Sequence, residues 1–143
     1  MTDSFIKIIQ SAVTAEVQRD ADERGQIGIG ELAALLREAQ ADKPVVARVE
    51  GRAFPVSADV ISYRGYYDQL AIKPGESATA ATLASTLTAS IGSTFYGYKG
   101  GEYAMSRGTA VWVSGYGEAT GWAVTGVIET DAFVILIVTV EEW

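Results

Sequence analysis

The sequence predicts an α+β protein, an antiparallel or mixed β-sheet with about three helices packed on one side or end. Apolar residues recur every three or four positions in three stretches, as in helices that bury one face. From residue 94 onward, short apolar runs alternate with glycine-containing turns, as in β-hairpins. At 143 residues the chain has the usual size of one domain, so we expect a single domain over 1–143.

The first predicted helix begins at Asp3 or Ser4 and reaches about Glu23. Its apolar stripe either covers the sheet of its own chain or packs on a partner subunit as an oligomerisation element. The stripe contains Phe5, Ile8, Ile9, Ala12, Val13 and Val17.

The segment 25–30, Gly-Gln-Ile-Gly-Ile-Gly, resembles a phosphate-binding loop but lacks the preceding strand and the full spacing. We interpret it as a connector into a second helix, Glu31 to Ala39, which buries Leu32, Leu35, Leu36 and Ala39. A third helix is predicted to start with Pro74–Ser77 and to end at Gly92. Its apolar positions are Ala80, Leu83, Ala84, Leu87 and Ile91.

The remaining segments predict strands and turns. Phe54–Val56 is expected to be irregular or at a sheet edge because of its proline, and 115–121 is expected to be a flexible loop. The last strand is apolar on both faces, which indicates a central or covered position. The predicted strands are 45–49, two runs within 60–72 that are interrupted at Arg64-Gly65, 94–98, 103–105, 110–114, 122–128 and 133–140.

The stretch from Thr94 to Arg107 combines four aromatic residues and three glycines with a lysine, an arginine and a glutamate. Glycine lets a backbone approach a ligand closely, tyrosine offers a flat face with a polar tip, and the cations supply donors for an anion. This mixture predicts a ligand-binding hairpin. The alternative is a tight hairpin whose tyrosines only cover the sheet.

All seven tyrosines lie between positions 63 and 116, which favours a pocket for a flat, anionic molecule such as a nucleotide. We expect Arg64 to anchor the anion and Tyr63 or Tyr66 to be a stacking wall; alternatively, Arg64 pairs with Asp68 or Glu102. Trp112, among valines, is expected to be buried rather than in contact with ligand. The candidate ligand-binding residues are Tyr63, Arg64, Tyr66, Tyr96, Tyr98, Lys99, Gly100, Gly101, Glu102, Met105, Arg107 and Tyr116.

The composition limits the chemistry. The chain has no histidine and no cysteine, so imidazole and thiolate catalysis and the usual zinc sites are excluded. Glu102 and Glu118 could be nominated as a catalytic pair, but such residues more often bind a sugar hydroxyl or orient an arginine. We expect no catalytic residue, no metal and no cofactor. The formal charge of −7 argues against binding to long nucleic acid.

Three motifs resemble a group of small bacteriophage proteins over about residues 28–128. They are Ser-Tyr-Arg-Gly-Tyr-Tyr (62–67), Gly-Tyr-Lys-Gly-Gly-Glu-Tyr-Ala-Met (97–105) and Val-Trp-Val-Ser-Gly-Tyr-Gly (111–117). The group is similar to phage anti-Thoeris sponges, which bind cyclic ADP-ribose-type signals without cleaving them. The resemblance implies homo-oligomers with ligand between or beside subunits. Gly115 stands where the group carries an asparagine, so a ligand contact there would be altered.

Two other classes stay open at this point: a phage structural or host-protein-binding module, and a histidine-free phosphodiesterase or lyase. The acidic start Met1–Ser4 has no apolar stretch after it, and the longest apolar run, 132–140, is too short for a bilayer. We therefore expect no membrane partner and a location in the cytoplasm of the infected bacterial host.

Overall fold

The computed structural model describes residues 25–64, 66–97, 101–115 and 118–141, apart from the side chains of Tyr66, Glu118 and Ala119. Within these residues the chain is α+β, as predicted. The first predicted helix, up to about Glu23, lies outside the described residues. The described elements are α1 (Ile29–Glu38), β1 (Val45–Val49), β2 (Arg52–Tyr63), β3 (Tyr66–Pro74), α2 (Ala80–Ser90), β4 (Thr94–Tyr96), β5 (Glu102–Ala104), β6 (Val111–Gly115), β7 (Glu118–Glu129) and β8 (Val134–Val140).

Six strands form a closed barrel in the order β1-β2-β3-β6-β7-β8. It consists of two antiparallel meanders, β1–β2–β3 and β6–β7–β8. Parallel pairing joins them twice, between β1 and β8 (Val45 beside Val134) and between β3 and β6 (Leu70 beside Val111). The sheet is mixed, one of the two alternatives predicted, but its closure was not predicted. Closure leaves none of these strands at an edge.

Alternate residues of all six strands point into the barrel and form its core, as in β8, where Val134, Leu136 and Val138 are buried. The two helices add their apolar faces to the same core. Both helices adjoin the end of the barrel where β1, β3, β6 and β8 begin: Val45 donates to Ala78 just before α2, and Ile29 of α1 donates to Thr109 just before β6. We call this the helix end.

α1 begins at Ile29, two residues before the predicted start, because the preceding connector is held in place by backbone hydrogen bonds. Ile27 donates to Val124 of β7 (2.8 Å) and accepts from Val111 of β6 (3.1 Å). Ile29 and Ala33 are therefore buried with Leu32 and Leu36, whereas Leu35 and Ala39, predicted to be buried, are half-buried against the core. α2 ends before Gly92, which has a φ of 81°, as predicted. It begins at Ala80 rather than at the predicted Pro74–Ser77, because Pro74 is paired as the last residue of β3 and Thr79 caps the helix.

Two predictions about the strands were wrong. Pro55 lies inside the continuous strand β2, opposite Val46, and the irregularity instead falls between Val56 and Val60, where the register with β3 shifts. The predicted loop 115–121 is also too long, since β7 begins at Glu118. In both places the barrel's pairing partners override the local signal of proline and glycine.

No helix among the residues described above is long and apolar enough to cross a membrane.

Candidate functional site

The structure brings two of the sequence motifs together at the helix end of the barrel. The β2–β3 turn at Arg64 lies there because β2 ends and β3 begins at that end. The β4–β5 hairpin follows α2 and precedes β6, which begins at the same end. The two segments meet where the rings of Tyr67 and Tyr103 lie 5.8 Å apart between centroids, tilted by 37°.

The hairpin itself has one polar, exposed face and one apolar, half-buried face. Thr94 pairs with Ala104 and Tyr96 with Glu102, and all four are exposed, Tyr96 at 69%. On the opposite face, Phe95 pairs with Tyr103 and both pack against the core. The predicted pairing of this hairpin is thus confirmed, and two of the candidate residues, Tyr96 and Glu102, are accessible.

The glycines of the hairpin are needed by the protein's own tyrosines. A Cβ atom on Gly97 would stand 3.0 Å from both Cε2 of Tyr103 and Cγ of Tyr67, and one on Gly101 would stand 2.7 Å from the Tyr103 hydroxyl. The two glycines are joined by a hydrogen bond from the N–H of Gly97 to the carbonyl of Gly101 (2.8 Å). The lack of a side chain at Gly101 therefore leaves room for the Tyr103 ring.

Tyr63, expected to be a stacking wall, is fully buried on the outer wall of the barrel. Its ring stacks on Trp112. Its hydroxyl oxygen accepts hydrogen bonds from the backbone N–H groups of Thr120 (3.0 Å) and Gly121 (2.7 Å). A side chain enclosed in this way stabilises the strands and offers no face to a ligand. Trp112, expected to be buried, is 1% exposed.

Met105, another candidate residue, is also buried. It is 2% exposed and belongs to the main core, and its backbone holds the base of the hairpin through bonds from Gly92 (2.8 Å) and to Ser93 (3.0 Å). Its role in the structure is packing.

Arg107 is exposed beside the first turn of α1. Its carbonyl accepts the N–H of Gly30 (2.8 Å), and a Cβ on Gly30 would stand 3.1 Å from the guanidinium Nη2. The N–H groups of Ile29 and Gly30, which a phosphate loop would offer to a ligand, are thus bonded to backbone carbonyls. This agrees with our interpretation of 25–30 as a connector. The group that could pair with an anion at this position is the Arg107 guanidinium.

Arg64 lies exposed in the β2–β3 turn. Tyr66 begins β3, and nothing further is described of its side chain. Four candidates, Tyr98, Lys99, Gly100 and Tyr116, lie outside the described residues.

Sequence reasoning missed Tyr67 and Tyr103, which form the contact between the two segments. The signal that could have found Tyr103 is the two-residue period of a strand, which puts Phe95 and Tyr103 on the face opposite Tyr96 and Glu102. No comparable signal selects Tyr67, because the register of β2 and β3 shifts between Ser62 and Tyr63.

Within the described part of the chain, no three acidic side chains stand close enough to hold a metal ion. The accessible groups at this site are a phenol, a carboxylate and two guanidinium groups. Such groups can stack on a flat ring, bind hydroxyls and pair with an anion.

Comparison with protein-family models, with curated proteins and with solved structures gave no match.

Proposed function

We propose that this protein binds a cyclic nucleotide immune signal of the cyclic ADP-ribose type and withholds it without cleaving it, as a phage anti-defence sponge in the cytoplasm of the infected host. The observation that carries the proposal is the meeting of the β2–β3 turn with the β4–β5 hairpin at Tyr67 and Tyr103. In that meeting, two of the three motifs of the phage resemblance, 62–67 and 97–105, lie at one end of the barrel.

The exposed groups at that end suit such a ligand. Tyr96 has an open aromatic face for a base, with a stacking contribution of about 1–3 kcal/mol. Arg64 and Arg107 are exposed cations for a pyrophosphate, and Glu102 can accept a sugar hydroxyl. The absence of histidine and cysteine from the sequence favours binding over turnover. We further propose a homo-oligomer, for which the apolar stripe of residues 5–17 is the candidate contact.

The first test is a thermal-shift screen against cyclic ADP-ribose isomers, cyclic di- and trinucleotides, linear ADP-ribose and NAD. A ligand that binds only the folded state adds about 2.7 kcal/mol of stability at a hundredfold excess over its Kd. We expect a rise in Tm with a cyclic ADP-ribose isomer and recovery of the intact compound after denaturation. A cleaved product would instead establish an enzyme, and no shift with any compound would refute the nucleotide site.

A second candidate, a host-protein-binding module, is favoured by one separate feature. Ile128 (45% exposed) and Phe133 (43% exposed) both lie on the β7–β8 hairpin, away from the aromatic residues of the helix end. Large exposed apolar residues of this kind are typical of protein interfaces. This function predicts no thermal shift with nucleotides, so the same screen separates the two.

A further inference from the structure

We propose that Tyr67 and Tyr103 are positioning residues: their contact sets the β4–β5 hairpin against the β2–β3 turn, so that the two motifs form one preformed surface. The positioning follows from contacts within the chain alone. Its consequence for ligand affinity rests on the proposed function.

The hairpin needs such a contact because its own pairing is short. β4 and β5 have three residues each, and an isolated two-stranded hairpin is at best marginally stable in water. Its base is attached to the end of α2 through the bonds of Met105 with Gly92 and Ser93. Farther from the base, towards Gly97 and Gly101, the Tyr103 ring lies against Tyr67 of β3.

The two glycines restrict where the Tyr103 ring can lie. Its Cε2 atom is 3.0 Å from the Cβ position of Gly97 and 2.9 Å from that of Gly101, so the ring passes close to the residue after β4 and to the residue before β5. The Cβ position of Gly97 is equally close to Tyr67. Gly97 is thus in contact with both rings, and any side chain there would push the hairpin away from the barrel.

The consequence for binding is preorganisation. A ligand that contacts Tyr96 on the hairpin and Arg64 on the turn needs both segments in a fixed relation. If the hairpin already holds this position before binding, no binding free energy is lost in ordering it, and the affinity is higher. Tyr67 and Tyr103 would then raise affinity without being ligand-binding groups themselves.

The test combines a measurement without ligand and one with it. The variants are Tyr67→Ala, Tyr103→Ala, their double mutant, and Gly97→Ala, with Tyr67→Phe and Tyr103→Phe retaining the rings. Gly108→Ala is the matched glycine control, since nothing lies within 4 Å of its Cβ position. Amide hydrogen exchange of Gly97 and Met105 reports the position of the hairpin, and calorimetry with a cyclic ADP-ribose isomer reports affinity.

We expect the alanine variants to speed exchange of the Gly97 amide by about tenfold or more. The double mutant should exchange only slightly faster than either single mutant, because removing one ring already removes the contact between the pair. The phenylalanine variants and Gly108→Ala should leave exchange unchanged. Affinity should fall in parallel with the loss of protection, and the phenylalanine variants should restore it.

Three results would separate the positioning role, its effect on affinity and the proposed function. Unchanged exchange of Gly97 in Tyr67→Ala and Tyr103→Ala would overturn the positioning role. Faster exchange with undiminished affinity would show that the contact between the two tyrosines does not raise ligand affinity, and would overturn preorganisation. Faster exchange in a protein whose wild type binds none of the nucleotides would support the positioning role and refute the proposed function, so the two failures are distinguishable.

Discussion

Tyr63 and Trp112 stack face to face on the outer wall of the barrel, with ring centroids 4.4 Å apart and ring planes within 4° of parallel. The stack reaches from β2 to β6 across β3, where Ala71 leaves room for it. The indole N–H of Trp112 donates to Gln69, and the Tyr63 hydroxyl holds the start of β7. One aromatic pair therefore ties four adjacent strands of the barrel.

Substitutions at Tyr63 should therefore reduce stability rather than ligand affinity. Tyr63→Phe removes the acceptor for two backbone N–H groups, and such a loss costs about 1–3 kcal/mol. Tyr63→Ala also leaves a cavity and should cost about 3–5 kcal/mol. Urea unfolding measures both. If Tyr63→Ala were as stable as wild type and lost only ligand affinity, the enclosed position of this ring would be refuted.

The connector before α1 gives a second prediction, based on close backbone packing. A Cβ on Gly28 would stand 2.9 Å from the carbonyl oxygen of Arg107 and 3.1 Å from backbone atoms of Gly108. Gly28→Ala should therefore push the two segments apart and cost about 1–3 kcal/mol in urea unfolding. Gly108→Ala, with open space at its Cβ, should be neutral or more stable by about 0.4–1 kcal/mol. Equal effects of the two substitutions would show that this packing is unimportant.

How much of this structure the sequence could predict depends on the range of the interactions. α2 and the β4–β5 hairpin follow from local patterns, namely the three- and four-residue spacing up to Ile91 and the alternation around Phe95. Closure of the barrel depends on β1 pairing with β8, whose partners Val45 and Val134 are distant in the chain. No local pattern specifies that pairing.

The same limit applies to the candidate site. Residue type nominated four residues alike that the fold treats differently. Tyr96 and Glu102 are exposed on a hairpin, whereas Tyr63 and Met105 are buried. Tyrosine fits a ligand pocket and a barrel wall equally well, since it has both an apolar ring and a hydroxyl. Only the fold shows which of the two each tyrosine occupies.

Arg64 and Arg107 provide the prediction that tests the binding site directly. Arg107 is exposed, so alanine there should leave the urea midpoint nearly unchanged. The urea midpoint of Arg64→Ala is measured beside its affinity, so that a loss of binding is separated from a loss of stability. A hydrogen bond to a charged group contributes about 1.5–3 kcal/mol, so each substitution should weaken binding of a cyclic ADP-ribose isomer by about tenfold or more. Arg52→Ala is the control, an exposed arginine at the opposite end of the barrel. Wild-type affinity in either variant would remove that arginine from the site.

Glu129 gives a prediction about pH. The backbone N–H of Gln40 (3.0 Å) and then Nζ of Lys43 (2.9 Å) donate to its carboxylate and hold its pKa below the ordinary value of 4.5. Because the folded state prefers the ionised form, this contribution to stability is fully present above the unfolded pKa. It is lost as the pH falls through the lower, folded pKa. The linked segments are the α1–β1 loop and the β7–β8 hairpin.

Glu129→Gln should therefore lower Tm relative to wild type at neutral pH, and the difference should shrink as the pH falls below 4.5. The Coulombic part of the effect should also weaken in high salt, because the pair is at the surface. Glu38→Gln, at the exposed end of α1, is the control for loss of one carboxylate. Thermal unfolding of the three proteins across this pH range is the measurement. A difference between wild type and Glu129→Gln that persisted undiminished at acid pH would mean that the amide fails to replace the carboxylate sterically, and that ionisation of Glu129 is not what joins the loop to the hairpin.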